Sequence, residues 1–269
     1  IDGGEYDGQT LESVIEKEGK EKLVGTRSLD FPYFPVLIKL IDAKDNLSIQ
    51  VHPDNEYAKR VEHEFGKTEI WYVIDATDDA QLVYGFKNKI SKEEFKKAIE
   101  ENTLLDVLNT VKVKKGDLFF IEAGTVHAIG KGVLIAEIQQ NSNSTYRVYD
   151  YGRIGKDGKP RELHIKKAVD VSVTEPPKYD IKPMGETVKA DGYDSTLLTK
   201  CDLFTVNHYD VNKKLTLETD EKSFNHILVI NGSGNINEKE LNKGDSFFVP
   251  AGYGKYEITG NCEIIVTNI

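Results

Sequence analysis

The nine residues GDLFFIEAG at 116–124 return, little changed, as GDSFFVPAG at 244–252. Upstream, EIWYVIDA at 69–76 lines up with NHILVING at 225–232. Each pair reads as an apolar strand followed, further on, by a Gly-Asp turn into a second apolar strand. An internal repeat limits the fold more than composition does, because it requires one supersecondary unit built twice. The pattern predicts a mainly β chain of two antiparallel jelly-roll barrels. At 269 residues there is room for two modest domains.

Between the repeats, Val-, Ile- and Tyr-rich runs broken by Gly, Asp and Asn continue to the end of the chain. A short helix is expected at 10–23, with Thr10 as N-cap. SKEEFKKAIEENTLLDVLNTV predicts a helix over 91–110, with Ser91 and Glu94 as a capping box. Phe95, Ile99, Leu104, Leu105 and Leu108 give it an apolar stripe. A further helix is expected at 55–65. TEPPKYDIKPMGETVKADGY, with three of the eight Pro, reads as a linker. The expected domains are therefore 1–175, a barrel with helical insertions, a linker at 176–195, and a second barrel at 196–269.

The two copies differ where chemistry would reside. Glu69 faces Asn225 in the alignment, and His127 faces Lys255. Only the first copy has the strand LSIQVHPDN, whose alternation puts Gln50 and His52 on one face. Gln50, His52, Glu69 and His127 form a set of donors suited to a borderline divalent ion such as zinc. A scaffold requirement would recur in both copies, whereas a metal requirement need appear in only one. The contrast predicts one metal site in the first barrel and a metal-free second barrel. His63, His164, His208 and His226 read as structural.

Charge narrows the partners. The formal net charge of -10 argues against nucleic acid or an anionic membrane as the main partner. No apolar run is long enough to span a bilayer. Cys201 and Cys262 have neither ligand-pair nor disulfide-framework spacing, which suits a reducing, cytoplasmic setting.

Gly116, Gly124 and His127, with Glu122 between, hold the spacing of a cupin signature, and Gly244, Pro250 and Gly252 hold it in the second copy. IQVHPDN, GKTEIWYVID, GTVHAIGKG and QQNSNSTYRVYDYGR, in that order, resemble the type I mannose-6-phosphate isomerase family in its shorter bacterial form. The resemblance implies one zinc per chain on Gln50, His52, Glu69 and His127. It implies Arg147, rather than Arg153, as the essential Arg, and Lys67 as the active-site Lys. Both would act in catalysis and in binding a sugar phosphate.

Two departures stand out. Longer members carry His-Lys-Pro-Glu where this chain has Gly66-Lys67-Thr68-Glu69. Members also usually have an N-terminal strand with a Trp-Gly turn, which is not found here. The sequence opens at Ile1, so a segment upstream of it is expected. The expected activity is zinc-dependent interconversion of mannose 6-phosphate and fructose 6-phosphate through an enediol(ate). Its rivals are a related sugar phosphate as substrate, a non-catalytic sugar-phosphate-binding cupin, and a metal-dependent cupin oxygenase.

Overall fold

The computed structural model describes residues 1–155 and 158–269. The chain divides into a central unit, Val36–Lys182, and a terminal unit made of Ile1–Pro35 with Pro183–Ile269. Residues 1–35, which the sequence pattern groups with the first barrel, thus belong to the compact unit of the second repeat. The boundary at 182/183 falls inside the expected linker.

The terminal unit opens with helices α1 (Leu11–Glu18) and α2 (Lys20–Val24). Thr10 caps α1 by accepting a hydrogen bond from Ser13 N. Gly19 separates the two helices at φ +98°, so the single helix expected at 10–23 is broken there.

The central unit contains β1 (Val36–Ala43), β2 (Ile49–Val51), α3 (Asn55–Val61), β3 (Glu69–Ala76), β4 (Gln81–Phe86), α4 (Lys92–Glu100), α5 (Leu104–Val107), β5 (Leu108–Lys112), β6 (Leu118–Ile121), β7 (His127–Ile129), β8 (Val133–Gln140), β9 (Tyr146–Tyr149) and α6 (Ile165–Val171). One sheet has the order β1-β8-β3-β6, the other β5-β4-β7-β2-β9. Trp71 and Val73 from the first sheet pack with Leu82, Tyr84 and Ile129 from the second in one buried core. The opposite face of the second sheet is covered by helical residues Phe95, Leu104 and Ala168.

The helix expected at 91–110 is real only in part. The Ser91–Glu94 capping box starts α4. Asn102, at φ +57°, then breaks the run, and chain direction changes. After the one-turn α5, Leu108–Lys112 joins the sheet as β5, where β-branched Thr110 and Val111 are at home. Leu105, expected on the apolar stripe, is exposed. Helix α6 has no counterpart in the sequence expectations.

In the terminal unit, β10 (Val188–Ala190), β11 (Tyr193–Lys200), β12 (Thr205–Val211), β13 (Lys214–Thr219), β14 (Asn225–Ile236), β15 (Lys239–Asn242), β16 (Ser246–Val249) and β17 (Gly254–Asn268) form one eight-stranded sheet. The first two of these begin within the expected linker. Among the described residues the strands pair as open sheets, and neither unit shows a hydrogen-bonded closure into a barrel.

The repeat is repeated in detail. Glu69 pairs with Ile121 and Asn225 with Val249, each at the same step of its ladder. A bulge follows at Val73/Asp75 in one unit and at Val229/Asn231 in the other. Gly116 N donates to Val73 O at 2.9 Å, and Gly244 N to Val229 O at 2.9 Å.

Candidate functional site

Strand β2 collects the site. Gln50 is the cross-strand partner of His127 on one side and of Arg147 on the other. His52 lies just beyond β2, where Gly124 N donates to its carbonyl at 2.8 Å. That bond ties the turn leading to His127 onto the His52 backbone. The sheet opposite supplies Glu69 at the start of β3, with Lys67 two residues earlier. Gly66 makes this approach possible: a Cβ there would lie 2.4 Å from Asp54 C, inside the backbone that follows His52. Lys67 N donates to Pro53 O at 3.0 Å across the same contact.

His52, Glu69 and His127 are fully buried, with donor atoms all within 4.8 Å of one another. His52 Nε2 is 3.8 Å from Glu69 Oε2, and His127 Nε2 is 3.6 Å from Glu69 Oε1. Ligands on a tetrahedral zinc at about 2.0–2.1 Å stand about 3.3 Å apart, so small adjustments suffice. Each His Nδ1 faces a backbone carbonyl, Ser144 O at 2.9 Å and Thr125 O at 2.8 Å. Donation to those carbonyls puts the proton on Nδ1 and leaves Nε2 as an acceptor, facing the Lys67 ammonium at 3.0 Å in His52 and the Gln50 amide at 3.5 Å in His127. Burial, with Lys67 adding to it, drops the His52 imidazole well below its usual range. The same causes bring His127 down to about 4. Both rings are therefore neutral at pH 7, as ligation requires.

Glu69 shows the fit most directly. Both of its carboxylate oxygens are buried, and among the described residues no donor besides Lys67 reaches them. The Lys67 ammonium is 2.5 Å from Oε2, a close ion-pair contact. Burial raises the Glu69 carboxyl above its ordinary range, and Lys67 opposes that rise. A buried carboxylate between two unprotonated imidazole nitrogens, with Lys67 as its present cation, is a group able to hold a divalent ion. The Gln50 amide reaches this group too, with Nε2 3.5 Å from His127 Nε2. Its oxygen would face the same way with the amide turned over.

A chain of alternating charges backs the donors. Lys67 Nζ is 3.0 Å from His52 Nε2 and 3.8 Å from Glu137 Oε1. Lys39 Nζ is 2.8 Å from Glu137 Oε1 and 2.5 Å from Gln139 Oε1. Trp71 Nε1 donates to Glu137 Oε2 at 3.1 Å, while its ring stands edge-on to His127 at 5.2 Å. Burial disfavours the charged form of Glu137, but Lys67 and Lys39 outweigh it and hold the carboxyl below its ordinary range.

Beside the donors is a 220 Å³ cavity lined by Leu47, Ser48, Gln50, Trp71, Ile129, Arg147 and Arg161. Arg147 Nη1 donates to Glu162 O at 3.0 Å, and its buried Nε has no hydrogen-bond partner. His164 grips the Arg147 backbone from both sides, through its N–H to Arg147 O at 2.8 Å and its Nδ1 from Arg147 N at 3.2 Å. Arg153, the sequence competitor of Arg147, is instead committed to Asp150 and to Asn46 O.

The structure thus brings together Gln50, His52, Glu69, His127 and Lys67, with Arg147 one strand away from Gln50. Lys39, Glu137, Trp71 and Arg161 were missed. Glu137 had a signal, as a charge inside the apolar strand VLIAEIQQ. Trp71 had one as well, in its buried position two residues after Glu69. Lys39 and Arg161 had none, because their places depend on long-range pairing.

Comparison with known proteins agrees. Residues 3–96 match the family model described as phosphomannose isomerase type I, catalytic domain, and residues 194–269 match mannose-6-phosphate isomerase, cupin domain. A mannose-6-phosphate isomerase of Bacillus subtilis is 40% identical over 274 residues, covering 100% of this chain and 84% of that protein. One from Streptococcus mutans is 36% identical over 275 residues, covering 100% of this chain and 83% of that protein. The crystal structure of mannose 6-phosphate isomerase from Bacillus subtilis superposes with a TM-score of 0.89 at 38% identity, covering 99% of this chain and 84% of that one. The cupin-family fold, the neutral His pair around a buried carboxylate and these full-length similarities lead to one conclusion: this chain belongs to the type I mannose-6-phosphate isomerase family.

Proposed function

We propose that the chain interconverts mannose 6-phosphate and fructose 6-phosphate, using one zinc ion held by Gln50, His52, Glu69 and His127. The observation that carries this reading is the fully buried convergence of the Glu69 carboxylate and two neutral imidazole Nε2 atoms, all within 4.8 Å of one another. When bound, the ion supplies Lewis-acid polarisation of a sugar oxygen and stabilises negative charge growing there.

The chain's own residues do the rest. The reaction moves a proton from C2 to C1 and another from O2 to O1, by way of an enediol(ate). Lys67, between Glu69 and Glu137, is the group we assign to proton handling along that edge. Arg147 takes the phosphate, for which its planar fork is suited. Trp71 and Ile129 give the cavity an apolar wall beside its polar lining of Ser48, Gln50 and the two arginines. His164 keeps Arg147 in place through the two backbone bonds described above.

The same reading covers architecture and setting. The two face-packed open sheets of the central unit correspond to the halves of a jelly roll, and the terminal sheet to a second, metal-free copy. A cytoplasmic location suits a sugar phosphate substrate and the two free cysteines, Cys201 and Cys262. Among the described residues no helix is long and apolar enough to cross a membrane.

The test is removal of metal by a chelator, then stepwise return of zinc, with turnover of mannose 6-phosphate followed in a coupled assay. Loss and recovery in step with one zinc per chain are expected. Full activity after complete stripping would sink the proposal.

A further inference from the structure

Three guanidiniums gather at Asp150. This carboxylate is buried, at 7% exposure. Its Oδ2 accepts from Arg161 Nε at 2.6 Å, and its Oδ1 accepts from Arg161 Nη2 and, at 2.5 Å, from Arg153 Nη2. Burial works against ionised Asp150, but the hydrogen bonds from Arg161 and Arg153 prevail and hold the carboxyl below its ordinary range. Arg147, the third guanidinium, forms no ion pair among the described residues. Burial and the nearby Arg161 both push its pKa down, so the two cations feel one another.

The charges do not balance. Three guanidiniums against Asp150 leave a local excess of two positive charges, in a chain whose formal net charge is -10. Two of the three, Arg147 and Arg161, line the 220 Å³ cavity beside the candidate metal donors, together with the Ser48 hydroxyl side chain. Arg161 spends Nε and one hydrogen of Nη2 on Asp150, which leaves three of its five N–H donors. Arg147 likewise keeps its Nε–H unspent. A phosphate monoester near neutral pH carries about -1.5 to -2 charges and three acceptor oxygens, which matches this surplus in both charge and donors.

We propose that Arg161 is a second phosphate-binding residue that closes with Arg147 on the substrate, and that Asp150 is the positioning residue that aims it. The inference rests on the reading that the substrate is a sugar phosphate. Arg161 sets specificity for the phosphorylated sugar over the free sugar, since a phosphate can recruit both forks and a hydroxyl cannot.

The experiment uses the full chain loaded with zinc. Arg161→Ala and Arg161→Gln are assayed with mannose 6-phosphate and with mannose, and inorganic phosphate binding is measured by calorimetry. The KM for mannose 6-phosphate should rise about 10- to 100-fold, and phosphate affinity should fall to a similar degree, with kcat less affected. Turnover of mannose and zinc content should stay as in the wild type. Arg161→Lys should recover part of the loss, because it restores charge without the fork. Should Arg161→Ala fail to fold, the same measurements on Arg161→Gln, which keeps a donor toward Asp150, decide the question. Unchanged KM and phosphate affinity in a folded variant would overturn the inference. So would equal losses with mannose and its phosphate, which mark a purely structural role. A wild-type chain that binds phosphate through Arg161 yet never turns over mannose 6-phosphate would defeat the proposed function and leave this inference standing.

Discussion

The central and terminal units place Glu69 and Asn225 at the same point of the same ladder, and treat them in opposite ways. Asn225 is buried, and its amide is fully occupied by neutral partners: Nδ2 donates to Tyr256 Oη at 2.8 Å, and Oδ1 accepts from Asn268 Nδ2 at 3.1 Å. Glu69 instead faces the Lys67 ammonium at 2.5 Å and two imidazole nitrogens at 3.6 and 3.8 Å. The position of His127 is taken in the terminal unit by Lys255, which is exposed. The terminal unit even has the roomier cavity, 560 Å³ along Glu238, Lys239, Phe247, Tyr253 and Tyr256, yet among the described residues the group of metal-binding type is His52, Glu69 and His127 in the central unit. On the proposed reading, a convergence of ionisable donors, rather than space or fold, distinguishes the metal site from the second copy.

The comparison can be broken most sharply at His127. His127→Ala should remove metal and lower turnover by about 10³-fold or more, since several kcal/mol of charge stabilisation goes with the ion. Metal analysis beside the coupled assay checks it, and a metal-loaded, active variant would equate the two units. The converse change, Asn225→Glu, should bind no metal. It should instead cost about 3–5 kcal/mol in denaturant unfolding, because the new carboxylate is buried without a cation. Uptake of a second metal ion there would show that fold alone makes the site.

Arg147→Ala should keep its metal but lose about 10- to 100-fold in kcat/KM for mannose 6-phosphate, the loss expected for a charge-assisted contact. Acid sharpens the contrast further. His127 sits at about 4 in the folded chain against about 6.5 when unfolded. The unfolded chain therefore binds more protons in that window, and the His127 contribution to stability is lost as pH falls from about 6.5 toward 4. Glu69, raised by burial, acts in the opposite sense. Protons compete with metal for both residues, so the increase in melting temperature given by zinc should shrink between pH 7.5 and pH 5. His226 in the terminal unit is also pushed down to about 4, by burial alone. His226→Gln should leave that zinc-dependent shrinkage unchanged. The smallest effect belongs to Lys255→Ala, which should alter stability by no more than about 0.5 kcal/mol and leave turnover intact.

Much of this was legible in the letters because it is local. The repeat announced itself in GDLFFIEAG and GDSFFVPAG, and the structure follows it down to the bulge in each of the two strands. The gathering of Gln50, His52, Glu69, His127 and Lys67 followed from strand alternation and family motifs. What was hidden depends on distant partners. The strand at Leu108–Lys112 looked helical because Leu108 continues the stripe of Leu104 and Leu105, and only pairing with β4 makes it a strand. Helix α6 is short, and its apolar residues also suit a strand. Arg161 carries no local mark, since its role comes from Asp150, eleven residues away, and from a cavity wall built by other strands.

The place of Gln50 between His127 and Arg147 has a consequence for substrate choice. Adjacent strands lie about 4.8 Å apart, so the step from His127 through Gln50 to Arg147 spans about 10 Å of rigid sheet. On the proposed reading, one end of that span meets the reacting carbons and the other the phosphate. The ladder then works as a gauge: a sugar bearing its phosphate on a nearer carbon would come up short, however well its ring fitted.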